Sequence, residues 1–404
     1  MSDADWLKRA SPAFRLTIAT SWLAPDVWHD QQEQTIQEAV GARVDWAEYL
    51  RLVDRHRTPA VSWAALKRAP GLDLPERVQR ELQRRSDACR MRAVGHALLL
   101  ADVLKGFNGD GIAAMPMKGP LLSLELYGDI GLRQSRDLDI MVAPQDVLRA
   151  QACLEKLGWR TDASSFPMSP RQREAQLRHE HHIVYVRPQG TCQLELHWRT
   201  LWDTADDSSR RWERSVDCSW RGYSYRAMNR EDMALYLCSH GGDHAWFRAK
   251  WLGDMACMSA KKLVDWEAAL KEARGSNQER PLLVCLRLLN AAYGLPLPSS
   301  AASARELPSF LIDGAVIDLT AAPEPEPMSP LRRLRRRIRK VRYDRLLRPQ
   351  ASWRKGLAAL SYSRQDFRVL RLPDGLFWVY APLRPFLWVW RRLLGGEPAK
   401  PSSK

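Results

Sequence analysis

Apolar residues along this chain change their spacing twice. Between residues 30 and 110 they recur every three or four positions, as with Trp46, Leu50 and Val53, which predicts helix. A long charged helix is expected from about Pro75 to Lys105, with Val78, Leu82, Cys89, Val94 and Leu98 as its apolar stripe. From about 110 to 200 the period shortens to two in several places. This predicts strands at Ile112–Met117, Leu138–Val142, Ile183–Val186 and Gln193–Trp198, with helices at Leu121–Tyr127 and Gln145–Leu157. Pro144 suits the first turn of the second of these helices. Helical spacing returns over 230 to 295, opened by Asn229 as a cap with Glu231 and Asp232 in the first turn.

Within the alternating region, Arg133-Gln-Ser-Arg-Asp-Leu-Asp-Ile-Met-Val142 places Asp137 and Asp139 two residues apart. In a strand, i and i+2 face the same way, so both carboxylates leave one face while Leu138, Ile140 and Val142 pack from the other. Hard oxygen ligands in such a pair suit Mg²⁺-assisted phosphoryl chemistry. A third carboxylate, Glu195, alternates with Leu194 and Leu196 in a second strand pattern, Cys192-Gln-Leu-Glu-Leu-His-Trp198. Paired beside the first strand, it would complete a cage for two ions. Upstream, Met115-Pro-Met-Lys-Gly-Pro120 ends an apolar run at Gly119, where a turn into a helix would offer backbone N–H groups to a phosphate, and Lys118 adds a point charge. An acidic pair alone also caps loops and forms surface ion pairs; the surrounding pieces give it weight.

The order of these pieces resembles an uncharacterised nucleotidyltransferase family of the polymerase-β-like superfamily. The pieces are Met117-Lys-Gly119, Leu126-Tyr-Gly128, the acidic pair with Arg133 ahead of it, Glu195-Leu-His-Trp198, and the helix Leu237-Cys-Ser-His-Gly-Gly-Asp-His244. The likeness spans about residues 30 to 295. It implies an α+β fold, a small mixed β-sheet core over 111–228, flanked by helical regions at 1–110 and 229–295 that close a cleft. It also implies Asp137, Asp139 and Glu195 as metal-binding and catalytic carboxylates, with Lys118 and Gly119 on the phosphate side. Two Mg²⁺ ions and an NTP substrate are the expected cofactor set. The wider superfamily usually follows its helix-opening glycine with Gly or Ser, whereas here Pro120 follows and the nearest hydroxyl is Ser123. Ser123, Arg133, His197, His240 and His244 are further candidates for the nucleotide or acceptor pocket. His197 shares a face with Glu195, and His240 and His244 lie one helical turn apart. A zinc protease would need Glu after the first of these histidines, and Gly241 stands there. Structural roles between helices compete with the pocket reading for His240 and His244, and are favoured for Trp251 and Asp254.

Charge redraws the boundaries. The net charge is +15, but residues 331–348 contribute ten Arg or Lys against Asp344, and residues 349–404 ten against three acids, which leaves 1–330 at about −1. A nearly neutral catalytic part weighs against a polymerase or tRNA-tailing enzyme, so nucleic acid is not an expected partner. The acceptor is left as a small molecule, a glycan precursor or a protein hydroxyl. A Pro-rich linker is expected over 296–330, from the Pro298-Ser-Ser run to Ala322-Pro-Glu-Pro-Glu-Pro327. Beyond it, a basic and aromatic extension (331–404) has Leu331, Leu334, Ile338 and Val341 at helical spacing among arginines, then Leu376-Phe-Trp-Val-Tyr-Ala-Pro-Leu-Arg-Pro-Phe-Leu-Trp-Val-Trp390. This composition predicts attachment to an anionic membrane surface through 331–395. Seven scattered cysteines without C-x-x-C, and the absence of a signal-like start, point to a reduced, cytoplasmic setting at the inner face of the membrane. The competing class is a catalytically inactive docking protein of the same fold at that surface.

Overall fold

Alternating Asp137-Leu-Asp-Ile-Met-Val142 forms the longest strand of the main sheet. The computed structural model describes residues 6–24, 30–161, 168–188, 190, 192–201, 204–302, 307–321, 329–349 and 364–393. Strands β1 (Ala114–Pro116), β2 (Asp137–Val142), β3 (Arg160–Thr161), β4 (His182–Val186) and β5 (Gln193–His197) lie in the order β1-β2-β5-β4-β3. The β2–β5 pair is parallel and the other pairs are antiparallel, so the sheet is mixed. With helices before and after it, the architecture is α+β.

Four helices, α1 (Pro12–Ala19), α2 (Asp30–Gly41), α3 (Trp46–His56) and α4 (Pro59–Arg68), precede α5 (Glu76–Gly109). At 34 residues, α5 is about 50 Å long and serves two cores. Val78, Leu82 and Cys89 join the helical core, whereas Leu100, Val103, Leu104 and Phe107 pack beneath the sheet. The expected stripe drifts off register after Cys89. Val94 and Leu98 are exposed, and Ala93, His96, Ala97 and Leu100 are buried instead, because steps of three and four from Cys89 land on 93, 96 and 100.

Helix α6 (Pro120–Tyr127) follows β1, and α7 (Val147–Lys156) follows β2 after a single 3₁₀ turn at Pro144–Asp146. Leu138, Ile140, Val142, Ile183, Tyr185, Leu194 and Leu196 all fall in the core under one face of the sheet, leaving Asp139, Glu195 and His197 to the other face beside the buried Met115 and Met141. Helix α8 (Pro170–His179), opened by a Ser169–Gln172 capping box, leads into β4. After α9 (Ala205–Glu213) comes a hairpin that periodicity did not predict, β6 (Val216–Trp220) with β7 (Tyr223–Ala227). Its two-residue turn has φ of 53° at Arg221 and 82° at Gly222, the positive values a tight hairpin of this twist requires.

Helices α10 (Arg230–Asp243), α11 (Ala249–Ala260), α12 (Trp266–Gly275) and α13 (Glu279–Tyr293) share the larger core with α1 to α4. As expected, Asn229 caps α10, its side chain accepting from the Asp232 N–H at 2.8 Å. Helix α11 approaches α1 closely at Gly253, where a Cβ would lie 2.2 Å from the Ser21 carbonyl oxygen.

The segment 296–330 is more structured than a linker. It carries α14 (Ser299–Ala302) and α15 (Ser309–Thr320), and Leu311, Ile312, Ala315 and Leu319 are buried against the helical core. The apolar content of 310–319 outweighs the flanking prolines; the Pro-Glu alternation itself lies outside the described residues. Helix α16 (Pro330–Leu347) follows, then α17 (Arg364–Val369) and α18 (Tyr380–Leu393). Phe367, Tyr380 and Leu387 form a small core with Ala175 of α8, which fastens the extension to the sheet domain. Among the described residues, no helix is long and apolar enough to cross a membrane.

Candidate active site

Parallel pairing of β2 with β5 sets the site. The register places Asp139 beside Glu195, Asp137 beside Gln193 and Met141 beside His197. Asp139, Glu195 and His197 therefore share the polar face. His197 Nε2 is 3.4 Å from Asp139 Oδ1 and 3.2 Å from Glu195 Oε2. One potential ligand atom from each of the three residues lies within 4.8 Å of the others. Asp137 is not part of that group. It stands one step back along the strand, roughly 7 Å away by strand geometry, and its neighbour across the ladder is an amide rather than an acid.

Lys118 enters from the end of β1. The Met117 N–H donates to the Asp139 carbonyl at 2.9 Å, which holds the chain at the sheet edge. Gly119 then turns it into α6 with φ 74° and ψ −145°, a conformation that favours glycine. Lys118 Nζ comes to 3.3 Å from Asp139 Oδ1 and 5.3 Å from the centre of the Tyr236 ring. Burial opposes charge on Asp139, but Lys118 and His197 together hold its carboxyl below the usual range. Glu195 behaves likewise: burial works against its charge and His197 prevails, lowering it. The reciprocal effect raises His197 and Lys118 above their ordinary values despite burial. Asp137 moves the other way, raised by burial and then by repulsion from Asp139.

Arg133 and Ser123 are engaged within the fold. The buried Arg133 guanidinium pairs with Asp254 of α11, Nε to Oδ2 at 2.9 Å, and donates to Ser135 at 3.1 Å. Tyr127 donates to the other oxygen of Asp254 at 3.1 Å. Ser123 donates to the Asp129 carbonyl and accepts from the Arg133 N–H at 3.0 Å. Together these contacts tie the loop before the acidic strand to α6 and α11.

Helix α10 supplies the wall opposite the sheet. His240 stands 4.9 Å, ring to ring, from His244 and 5.3 Å from Trp251. Burial, then Lys118, pushes His240 well below the ordinary histidine value. His244 stacks on Trp251 at 5.1 Å, with Phe247 edge-on to Trp251 at 5.0 Å. Three further residues stand at the site: Tyr236 and Lys250, which pattern did not single out, and His182, from the sequence cluster His179, His181 and His182. Lys250 donates to the Gln134 carbonyl at 3.1 Å, and burial followed by Arg133 brings its amine down to about 7, with Asp137 acting against them. His182 stacks on His197 at 5.0 Å. The spacing of Tyr236 and His240, four residues apart on one helix, was the available signal for the first of them.

A family described as uncharacterised nucleotidyltransferase matches residues 42–294. The chain belongs to that family. No curated protein and no solved structure matches it. The matched span contains all the pocket residues above and ends before α14, so the basic extension lies outside it.

The residues suit a divalent cation. Among the described residues, Asp139 Oδ2 is buried without a hydrogen-bond partner, as is His197 Nδ1, while His197 Nε2 faces the two acids. An unpartnered buried carboxylate oxygen costs stability unless something positive meets it. Asp139, Glu195 and His197 are the residues able to hold such an ion, and His181, His182 and His197 form a second close group that shares His197.

Proposed function

We propose that this nucleotidyltransferase moves an NMP group from an NTP to a hydroxyl of a small molecule, a glycan precursor or a protein. The observation that carries this reading is the convergence of Asp139, Glu195 and His197 under Lys118, with one Asp139 oxygen left unpartnered among the described residues. Mg²⁺ held there, expected as two ions with Asp137 aiding the second, would offset phosphate charge and lower the pKa of the acceptor hydroxyl. Lys118 and the opening of α6 at Gly119 serve the triphosphate, and Lys250 adds positive charge beside Asp137 when protonated. His240, His244 and Trp251 form an aromatic wall suited to a base or an acceptor ring. In the reaction the acceptor oxygen bonds to the α-phosphorus and the α–β bridging P–O bond breaks. Pyrophosphate leaves with the bonding electrons, and the hydroxyl proton passes to solvent.

The test is incubation of the purified chain with α-labelled NTPs, Mg²⁺ and cell extract. Label should reach one fraction with the wild-type chain and fall at least 100-fold with Asp139→Asn or Glu195→Gln, an amount in keeping with the loss of a charge-stabilising group. Label undiminished in both variants would refute the assignment.

One observation favours a second reading. Lys118 and His197 already neutralise the two acids from within the chain, as they would in a catalytically inactive docking protein that keeps the fold. Thermal shift separates the two: NTP with Mg²⁺ stabilises the enzyme and loses that effect in Asp139→Ala, whereas a docking protein shows no shift with any NTP.

A further inference from the structure

The first two turns of α16 are uncovered on every side. All residues from 331 to 338 are exposed, whereas Tyr343, Leu347 and the adjoining Arg348 are buried. The buried end is held firmly. Gly314 of α15 leaves room for the Tyr343 ring, the Arg280 guanidinium donates to the Leu346 carbonyl, and Arg339 pairs with Asp318. The exposed end projects as an arm bearing Leu331, Leu334, Ile338 and Val341, each 46–60% exposed and spaced three or four residues apart. Arg332, Arg333, Arg335, Arg336 and Arg337 surround that row and are exposed too.

Four aliphatic side chains in one line on a cationic helix are costly to leave in water, and no described element covers them. We propose that this arm docks on an anionic lipid surface, its aliphatic row entering the headgroup–acyl boundary while the arginines meet lipid phosphates and carboxylates. Charge complementarity decides the sign of the surface: residues 331–348 carry ten Arg or Lys against Asp344 alone. The aliphatic row decides lipid over nucleic acid, because a phosphodiester backbone pairs with the arginines but gives Leu334 and Ile338 nothing apolar to bury against. The terminal segment repeats the same composition. Trp378, Phe386, Trp388 and Trp390 are exposed large aromatics, of the kind that settle at the headgroup level.

The experiment is flotation of the full-length chain with vesicles of phosphatidylcholine alone and with about 30% phosphatidylserine added. Binding is expected to the anionic vesicles only, weakening as salt rises. Replacing Arg332, Arg333 and Arg336 with Gln should weaken it by roughly 100- to 200-fold, since each cation near the surface contributes roughly five- to six-fold. The decisive variant is Leu334→Ser/Ile338→Ser, which leaves the charge unchanged and, lying on an exposed face, should keep the helical circular dichroism. It should lower vesicle affinity at least ten-fold while leaving any adherence to single-stranded RNA unaltered. Failure of the chain to bind anionic vesicles, or undiminished binding by the serine pair, would overturn the proposal.

Discussion

Asp254→Asn isolates the clamp that positions the acidic strand. Asp254 accepts from Tyr127 through one oxygen and from Arg133 Nε through the other, with both charged side chains buried at 1–3% exposure. Asparagine keeps the shape, and its carbonyl oxygen still accepts from Tyr127. Its NH₂ group, however, then faces the Arg133 N–H, donor against donor. Arg133 is left as a buried cation whose remaining partner in the cluster is Ser135, 3.1 Å away. Removing one member of a buried pair costs about 3–5 kcal/mol, which corresponds to a melting shift of about 5 °C in a chain of this size. Arg133→Met added to Asp254→Asn should recover much of that loss, because the stranded charge is gone. Urea unfolding of wild type, both single variants and the double variant gives a coupling energy, expected to be about 2 kcal/mol or more. A loss under about 1 kcal/mol for Asp254→Asn, or additive single effects, would show that the pair does not brace the loop.

Two other expectations are independent of the site's chemistry. Gly253→Ala would place a methyl group 2.2 Å from the Ser21 carbonyl, a backbone atom with little room to yield. Overpacking of this kind costs about 1–3 kcal/mol, and chemical denaturation should detect it, whereas Gly275→Ala, with nothing within 4 Å of its Cβ, should be tolerated. His56, fully buried, accepts the Ala249 N–H through Nδ1 at 3.0 Å, and burial, then Arg55 and Arg248, brings it from 6.5 to about 3. The unfolded chain therefore binds a proton between these values that the folded chain refuses. Stability should fall as pH drops below about 6.5, by about 2 kcal/mol at pH 5, and stay level above neutrality. His56→Asn, whose amide oxygen can still accept from Ala249, should flatten that part of the pH–stability profile; an unchanged slope would refute the assignment.

Much of the sheet was legible because alternation and function coincide in it. Leu138, Ile140, Leu194 and Leu196 must face the core, so Asp139 and Glu195 must face away from it, and pairing of the two strands does the rest. The separation of Asp137 from the ligand group was not legible, since it depends on which β5 residue stands opposite, and register is a tertiary property. Arg133 and Ser123 show a similar limit. Their residue types suit phosphate binding, yet Asp254, 121 residues downstream, takes the guanidinium. Lys250 escaped notice because an isolated lysine has no pattern, and its setting arises only when α11 packs near Asp137. Helix α15 was hidden by the prolines on either side of a short apolar run.

The grip of the chain's last described helix on α8 has a mechanical consequence. The Tyr380 hydroxyl accepts from Gln172 at 2.9 Å and from the Leu372 N–H at 3.0 Å, and donates to the Leu370 carbonyl at 2.6 Å. Three residues past the end of α8 the backbone delivers His182 onto His197. A load applied to the tail is thus borne by the strut that seats the histidines, and tethering, fusing or trimming the protein at that end perturbs the pocket's floor before it disturbs either helical flank.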